Sequence, residues 1–138
     1  AYSFTCAGTT FGTGVYTAGT IVGAQHTVTL NVSVTTPGPY TINIAAVNGV
    51  SFSGIGTFTG TGNTTVTLTA TGTPVAASPP AYNYTVTNGA SSCSFSITVA
   101  AAAPPPNLDY VPQTNFTCFG LSTTLAFFNV PSQIVSYD

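Results

Sequence analysis

The sequence predicts an all-β chain folded as an antiparallel sandwich, and three observations carry that reading. Apolar residues recur in steps of two along most of the first hundred positions. Turn-forming residues punctuate the chain at the 8–12-residue intervals typical of stacked antiparallel sheets. No segment carries the 3.6-residue period of an amphipathic helix.

The elements follow in order. A first strand is expected near Tyr2–Cys6 and another around Val15–Val22. From His26 to Thr35 the order H-T-V-T-L-N-V-S-V-T places Val28, Leu30, Val32 and Val34 on one face. Thr27, Thr29, Asn31 and Ser33 take the other, as in a half-buried strand. Pro37-Gly38-Pro39 marks a turn, after which Tyr40, Ile42, Ile44 and Ala46 alternate with Thr41, Asn43 and Ala45. Asn48-Gly49 is a tight-hairpin pair. Val50 and Phe52 share a parity that Ile55 breaks, so a bulge or sheet switch is expected at Gly54 and Gly56, before Phe58. A turn at Gly60–Asn63 leads to Val66, Leu68 and Ala70, with Thr65, Thr67 and Thr69 outward. Pro79 and Pro80 precede Tyr82, Tyr84 and Val86, and Asn88-Gly89 turns into the last strand. There Cys93, Phe95, Ile97 and Val99 alternate with serines and Thr98. Seven or eight strands in this arrangement fit an Ig-like or fibronectin-III-like sandwich best, although the tryptophan of antibody domains is absent.

Residues 1–100 form this predicted sandwich. Residues 101–106 continue an Ala/Pro run, A-A-A-P-P-P, that favours a semi-rigid extended spacer. Residues 107–138 are rich in Phe and Leu, including Phe116, Phe119, Leu121, Leu125, Phe127 and Phe128. Thirty-two residues cannot hold a core alone, so this segment is expected to bury its apolar face on the sandwich, on another subunit or within a larger domain.

Charge narrows the function. The chain has no Lys or Arg, two acids (Asp109 and Asp138) and one histidine, His26, where an average protein is about one quarter charged. Twenty-seven threonines, with many Ser and Asn, face water instead. Without cations, nucleic-acid binding, phosphate handling and attraction to anionic lipid are excluded. No run of 18 apolar residues marks a membrane-crossing helix, so no membrane insertion is expected. The start at Ala1, without Met or a signal peptide, reads as a processed product or an excised piece. Trypsin has no site in it.

Three cysteines lie at 6, 93 and 118. A Cys6–Cys93 bridge would tie first strand to last, a closure of roughly 4–5 kcal/mol in the chain-entropy model. The alternative is two buried free thiols. Cys118 is left over, either free and buried or paired to a neighbouring chain.

The stretches G-V-Y-T-A-G-T (14–20), V-T-T-P-G-P-Y-T-I (34–42), V-N-G-V-S-F-S-G-I-G-T-F-T-G-T-G (47–62), V-T-L-T-A-T-G-T-P (66–74) and S-S-C-S-F-S-I-T-V (91–99) resemble the tandem Ig-like modules of large secreted cell-surface proteins of Bacteroidetes. The resemblance covers about Cys6 to Val99. It implies an Ig-like β-sandwich, a bridge between Cys6 and Cys93, and display at the cell surface or beyond. It implies no catalytic residue.

Candidate chemistry is sparse. His26 is the one possible general base; pairing it with Cys118 has no support in spacing, and a strand-start histidine at a turn is the simpler reading. Asp109 and Asp138 read as solvated loop acids, and one His, two Asp and a free Cys form no recognisable metal set. No cofactor and no catalytic activity are therefore expected. The lack of Lys excludes Lys–Asn isopeptide cross-links; a thioester would need Cys118 near Gln25, Gln113 or Gln133. Sequons at Asn31, Asn63, Asn83 and Asn115 are candidate glycan sites, though a chain rich in Thr and Asn produces sequons by chance. Tyr40, Tyr82 and Tyr84 suggest a carbohydrate platform, but their parity with apolar neighbours points to the core.

Sheet proteins normally guard their edges with charge or proline. This chain has no charged side chain before position 109, and V-T-L-N-V-S-V and T-V-T-L-T-A are neutral segments of high β-propensity. Edge-to-edge association is therefore expected. The segment Leu125, Ala126, Phe127, Phe128, Asn129, Val130 could add as a strand to a neighbour's sheet, or complete its own sandwich. The expected role is an extracellular structural subunit that contacts copies of itself, or a spacer or adhesive module in a tandem surface protein.

Overall fold

The period-two pattern is realised directly. In the computed structural model, which describes residues 1–106, the strands are β1 (Tyr2–Phe4), β2 (Thr10–Phe11), β3 (Thr27–Val34), β4 (Gly38–Val47), β5 (Val50–Phe58), β6 (Gly62–Gly72), β7 (Tyr82–Asn88) and β8 (Ser91–Ile97). By its internal contacts the chain divides after Ala103, within the Ala/Pro spacer, and all eight strands belong to the first unit, Ala1–Ala103. The described residues contain no helix. Every ladder is antiparallel.

Six strands make one sheet in the order β1-β3-β6-β5-β4, with β2 sharing the β3 edge below β1. The second sheet is the β7–β8 hairpin alone. The larger sheet curls, so that β4 runs beside β7 at one side while β1 approaches β8 at the other. The result is the all-β, antiparallel, sandwich-like fold read from the sequence, with one face of each strand apolar and inward.

That inward face is continuous. Val28 and Leu30 of β3 oppose Leu68 and Val66 of β6, and Val32, Val34 and Ala70 continue the same buried face. Phe52 meets Tyr84 and Phe95 edge-on, at ring separations of 4.9 and 5.2 Å, while Tyr84 and Phe95 stack at 5.3 Å. These three rings join the two sheets. A second aromatic group, Tyr2, Phe4, Tyr40 and Phe58, closes the end where β3 finishes. No buried residue among those described is charged. Each fully buried Val, Leu or Phe contributes about 1.5–3 kcal/mol of transfer free energy, and this burial dominates the stability of a chain with almost no ionic interactions.

Three local expectations are corrected. The β5 glycines do not mark a bulge: β5 runs straight, with Val50, Phe52, Gly54, Gly56 and Phe58 inward and Ile55 outward, 77% exposed. Glycine is needed because Leu68 and Tyr40 cross over these positions. A Cβ at Gly54 would lie 2.7 Å from Leu68 Cδ2, and one at Gly56 2.6 Å from the Tyr40 hydroxyl. The ladder irregularity lies on β4 instead, between Ile44 and Val47, next to the Asn48-Gly49 turn. Both turn residues have positive φ, 50° and 79°, as a type I′ hairpin requires.

Gly38 and Pro39 belong to β4 instead of a turn; proline is tolerated there because β4 is an edge strand. Val15–Val22 is not a strand. Gly12 and Gly14 N–H groups still bond Thr27 and Gln25 carbonyls at 2.9 and 3.0 Å, on the larger sheet. By Thr17 the chain has moved to the segment that follows β8, in an isolated parallel bridge with Ala100, and at Val22 it bonds the Gly72 carbonyl at the end of β6. A segment that changes partners cannot keep one ladder.

Candidate functional site

Of the chemistry-bearing residues named from sequence, Cys6, Gln25, His26 and Cys93 lie among the described residues. His26 lies at the start of β3 with both ring nitrogens engaged: Nδ1 accepts from the Gly23 N–H at 3.0 Å and Nε2 lies 3.1 Å from the Val15 carbonyl. Its ring meets Tyr16 edge-on at 4.8 Å. The histidine thus clamps the crossing segment to β3. Cys118, Asp109, Asp138, Gln113 and Gln133 lie outside the described residues, so the pairings proposed for them do too. Gln25 is exposed.

Cys6 and Cys93 are bridged, with Cα atoms 5.3 Å apart. Cys6 stands just past β1 in a left-handed conformation, φ 60°, and Cys93 is buried in β8. The bridge belongs to a seam. Ser91 Oγ accepts the Phe4 N–H at 2.7 Å and lies 3.3 Å from the Phe4 carbonyl, while Asn88 Nδ2 donates to the Tyr2 carbonyl at 2.6 Å. Across the opposite seam, Tyr84 Oη lies 2.8 Å from the Val47 carbonyl and 3.2 Å from that of Val50. Burial, then the nearby Tyr16, pushes the Tyr84 hydroxyl up to about 12. Burial alone does the same to Tyr16, also to about 12, and the Tyr16 hydroxyl is buried with no hydrogen-bond partner among the described residues. Side chains thus seal the junctions between β1 and β8 and between β4 and β7.

The sequons differ in setting. Asn63 and Asn83 are exposed at the start of β6 and on β7. Asn31 is half-buried, and its Nδ2 donates to the Ala7 carbonyl, holding the loop after β1. Asn115 and the segment Leu125–Val130 lie outside the described residues. Of the tyrosines, Tyr84 is core, Tyr82 is half-buried, and Tyr40 is stacked on Phe58 at 4.5 Å with its other contacts over Gly56. Tyr40 borders a shallow pocket of about 310 Å³ lined by Thr57, Thr59, Thr61 and Asn63, but its ring face is already used.

Another open place among the described residues is the outer edge of β8. A groove of about 380 Å³ runs there between Ser96, Ile97 and Thr98 on one side and Phe11, Gly14, Val15 and Tyr16 on the other. Phe11 and Val15 are 50% and 73% exposed. Sequence reasoning missed this groove because it depends on where the 10–18 segment changes partners. Its one legible sign is the exposed alternation of Ser92, Ser94, Ser96 and Thr98.

Comparison with protein-family models, with curated proteins and with solved structures finds no match to this chain.

Proposed function

We propose that the protein is a structural subunit of an extracellular filament or surface assembly, joined to copies of itself through β-edge or tail-strand contacts and having no catalytic role. The observation that carries this is an unguarded edge: β8 ends beside a groove flanked by exposed apolar side chains, in a chain without a charged side chain before Asp109. Nothing electrostatic opposes association there. The Cys6–Cys93 bridge supports an oxidising compartment, as outside the cell. The described residues contain no helix long and apolar enough to cross a membrane. Glycans at Asn63 or Asn83 would project from exposed positions, that at Asn83 beside Ser96, its partner in the β7–β8 ladder.

The test is light scattering over a concentration series, with negative-stain imaging of the same samples. Regular polymers are expected, and their formation should be nearly independent of ionic strength, since charge plays no part. A strictly monomeric protein at high concentration overturns the proposal.

A second reading is favoured by the placement of the chain ends of the sandwich. Ala1 lies where β3 finishes, its carbonyl accepting from Thr35 N–H at 2.9 Å; Ala100 lies beside Thr17, near where β3 begins. Entry and exit at opposite ends suit a spacer or adhesive module in a tandem surface protein. Similar modules on both sides in the full reading frame would favour it.

A further inference from the structure

The β7–β8 hairpin turns on two residues, Gly89 and Ala90, with Gly89 at φ 59° and Asn88 opposite Ser91. In such a hairpin the flanking pair exchanges both backbone hydrogen bonds, and hydrogen-bonded pairs then recur at every second residue. Ser91, Cys93, Phe95 and Ile97 therefore bond to β7. The backbone N–H and C=O groups of Ser92, Ser94, Ser96 and Thr98 point the other way, along the outer edge.

That edge is closed at both ends. At one, β1 and the Cys6–Cys93 bridge cover the region of Ser92. At the other, Ala100 donates to the Tyr16 carbonyl at 2.8 Å and accepts from Ala18 N–H at 2.9 Å. Between them, the outward backbone groups of Ser94, Ser96 and Thr98 have no hydrogen-bond partner among the described residues. Ser96 and Thr98 line the groove whose far wall is Phe11, Gly14, Val15 and Tyr16, and Ser94 precedes it on the same edge. An edge with free hydrogen-bonding groups beside exposed apolar side chains has the properties of a strand-accepting slot.

From these features we infer that the outer edge of β8, from Ser94 to Thr98, is the acceptor for the segment Leu125–Val130 of a second copy of the chain; the inference rests on the structural-subunit reading above. The match is one of length and chemistry. Six residues in extended form span about 20 Å, enough to run past Ser94, Ser96 and Thr98. Leu125, Ala126, Phe127, Phe128 and Val130 leave both faces of an extended segment apolar, which calls for a slot covered on two sides instead of an outer edge facing water. Pro131 follows at once and cannot donate to a ladder, so pairing would stop there. The chain leaves the end of β8 through residues 101–106, all exposed and ending in three prolines, a composition that extends away from its origin. A donor on one copy and an acceptor on the next give a heterologous contact that repeats without closing.

The test uses full-length chains. Ser96→Pro deletes an outward N–H and leaves the β7 ladder intact, so it blocks the acceptor; Ser96→Lys is a second acceptor block that does not rely on proline. Phe128→Asp blocks the donor. Circular dichroism and an intact Cys6–Cys93 bridge confirm that each variant is folded. With wild type polymeric, each variant alone is expected to lose polymerisation. An equimolar mixture of Ser96→Pro and Phe128→Asp should give a species of twice the single-chain mass and nothing longer, because one free donor meets one free acceptor. If both folded acceptor variants polymerise like wild type, or the mixture stays monomeric, the acceptor assignment is wrong while the structural-subunit reading stands. If wild type itself stays monomeric, both fall.

Discussion

The six-stranded sheet and the β7–β8 hairpin are held in place by different means. β3 and β6 share eight consecutive paired positions, and β4 and β5 pair along nearly their whole length, so the larger sheet is joined by its own backbone. The hairpin has one ladder, to itself. A two-stranded hairpin is marginal in water. What keeps this one folded is a disulfide to the end of β1, hydrogen bonds from Ser91, Asn88 and Tyr84 side chains to carbonyls and an amide of the other sheet, and the packing of Tyr84 and Phe95 on Phe52. One sheet is cooperative along its backbone, and the other depends on a few side chains. The dependent sheet also carries the unsealed edge.

The largest effect should come from removing the covalent tie. The bridge closes a separation of 87 residues, so Cys6→Ala with Cys93→Ala should cost about 4–5 kcal/mol of unfolding free energy in the chain-entropy model, read as a lower denaturant midpoint. If the two sheets differ as described, amide exchange in the double variant will accelerate first in β7 and β8, with β3 and β6 keeping more protection. Uniform acceleration in all eight strands would show the sheets to be one cooperative unit.

Next is the aromatic joint. Phe52→Ala removes the ring that both Tyr84 and Phe95 pack against and should cost about 3–5 kcal/mol. Thermal or denaturant unfolding measures it. A cost below about 1 kcal/mol, the range of a surface change, would mean that the rings do not hold the hairpin.

The contrast between the sheets also explains what the sequence could tell. Strands β3, β6, β7 and β8 were legible because one face is buried and the other wet, so alternation survives at every position from Thr27 to Val34 and from Ser91 to Ile97. At β5 the pattern misled: Gly54 and Gly56 hold inward positions with no side chain, leaving Ile55 as the visible hydrophobe although it points outward. Crowding by Leu68 and Tyr40, from two neighbouring strands, determines this, and neither is near in sequence. The Val15–Val22 expectation failed for a related reason, since the backbone bonds of that segment divide among Ala100, Pro74 and Gly72, which lie far apart in sequence from it. The bridge between Cys6 and Cys93 was anticipated, while the groove at β8 was not, because an edge becomes a site only through what fails to cover it.

Smaller in scale is the hydroxyl that joins β7 to the β4–β5 turn. Tyr84→Phe keeps the ring and its stacking on Phe95 but removes the contacts to the Val47 and Val50 carbonyls, at 2.8 and 3.2 Å. The loss should be about 1–2 kcal/mol, one hydrogen bond and a poorly satisfied buried acceptor. A neutral result would leave the aromatic packing as the sufficient tie between β7 and the larger sheet.

Tyr16→Phe should have the smallest effect and the opposite sign. The Tyr16 hydroxyl is buried without a partner among the described residues, so deleting it should leave stability unchanged or raise it by about 0–1 kcal/mol. The same group allows a check in alkali. Burial pushes Tyr16 up to about 12 and Tyr84 up to about 12, whereas tyrosine in the unfolded chain ionises near 10. The unfolded state therefore releases protons first. The stability tied to the neutral hydroxyls is complete below pH 10 and declines as pH rises toward 12. Tyr16→Phe removes one of the buried hydroxyls that ionise later in the folded chain, so its stability should fall less steeply over that window than that of wild type. Parallel slopes would show that Tyr16 ionises alike in the folded and unfolded chains, and its burial in the crossing segment would then be looser than the packing around Tyr84.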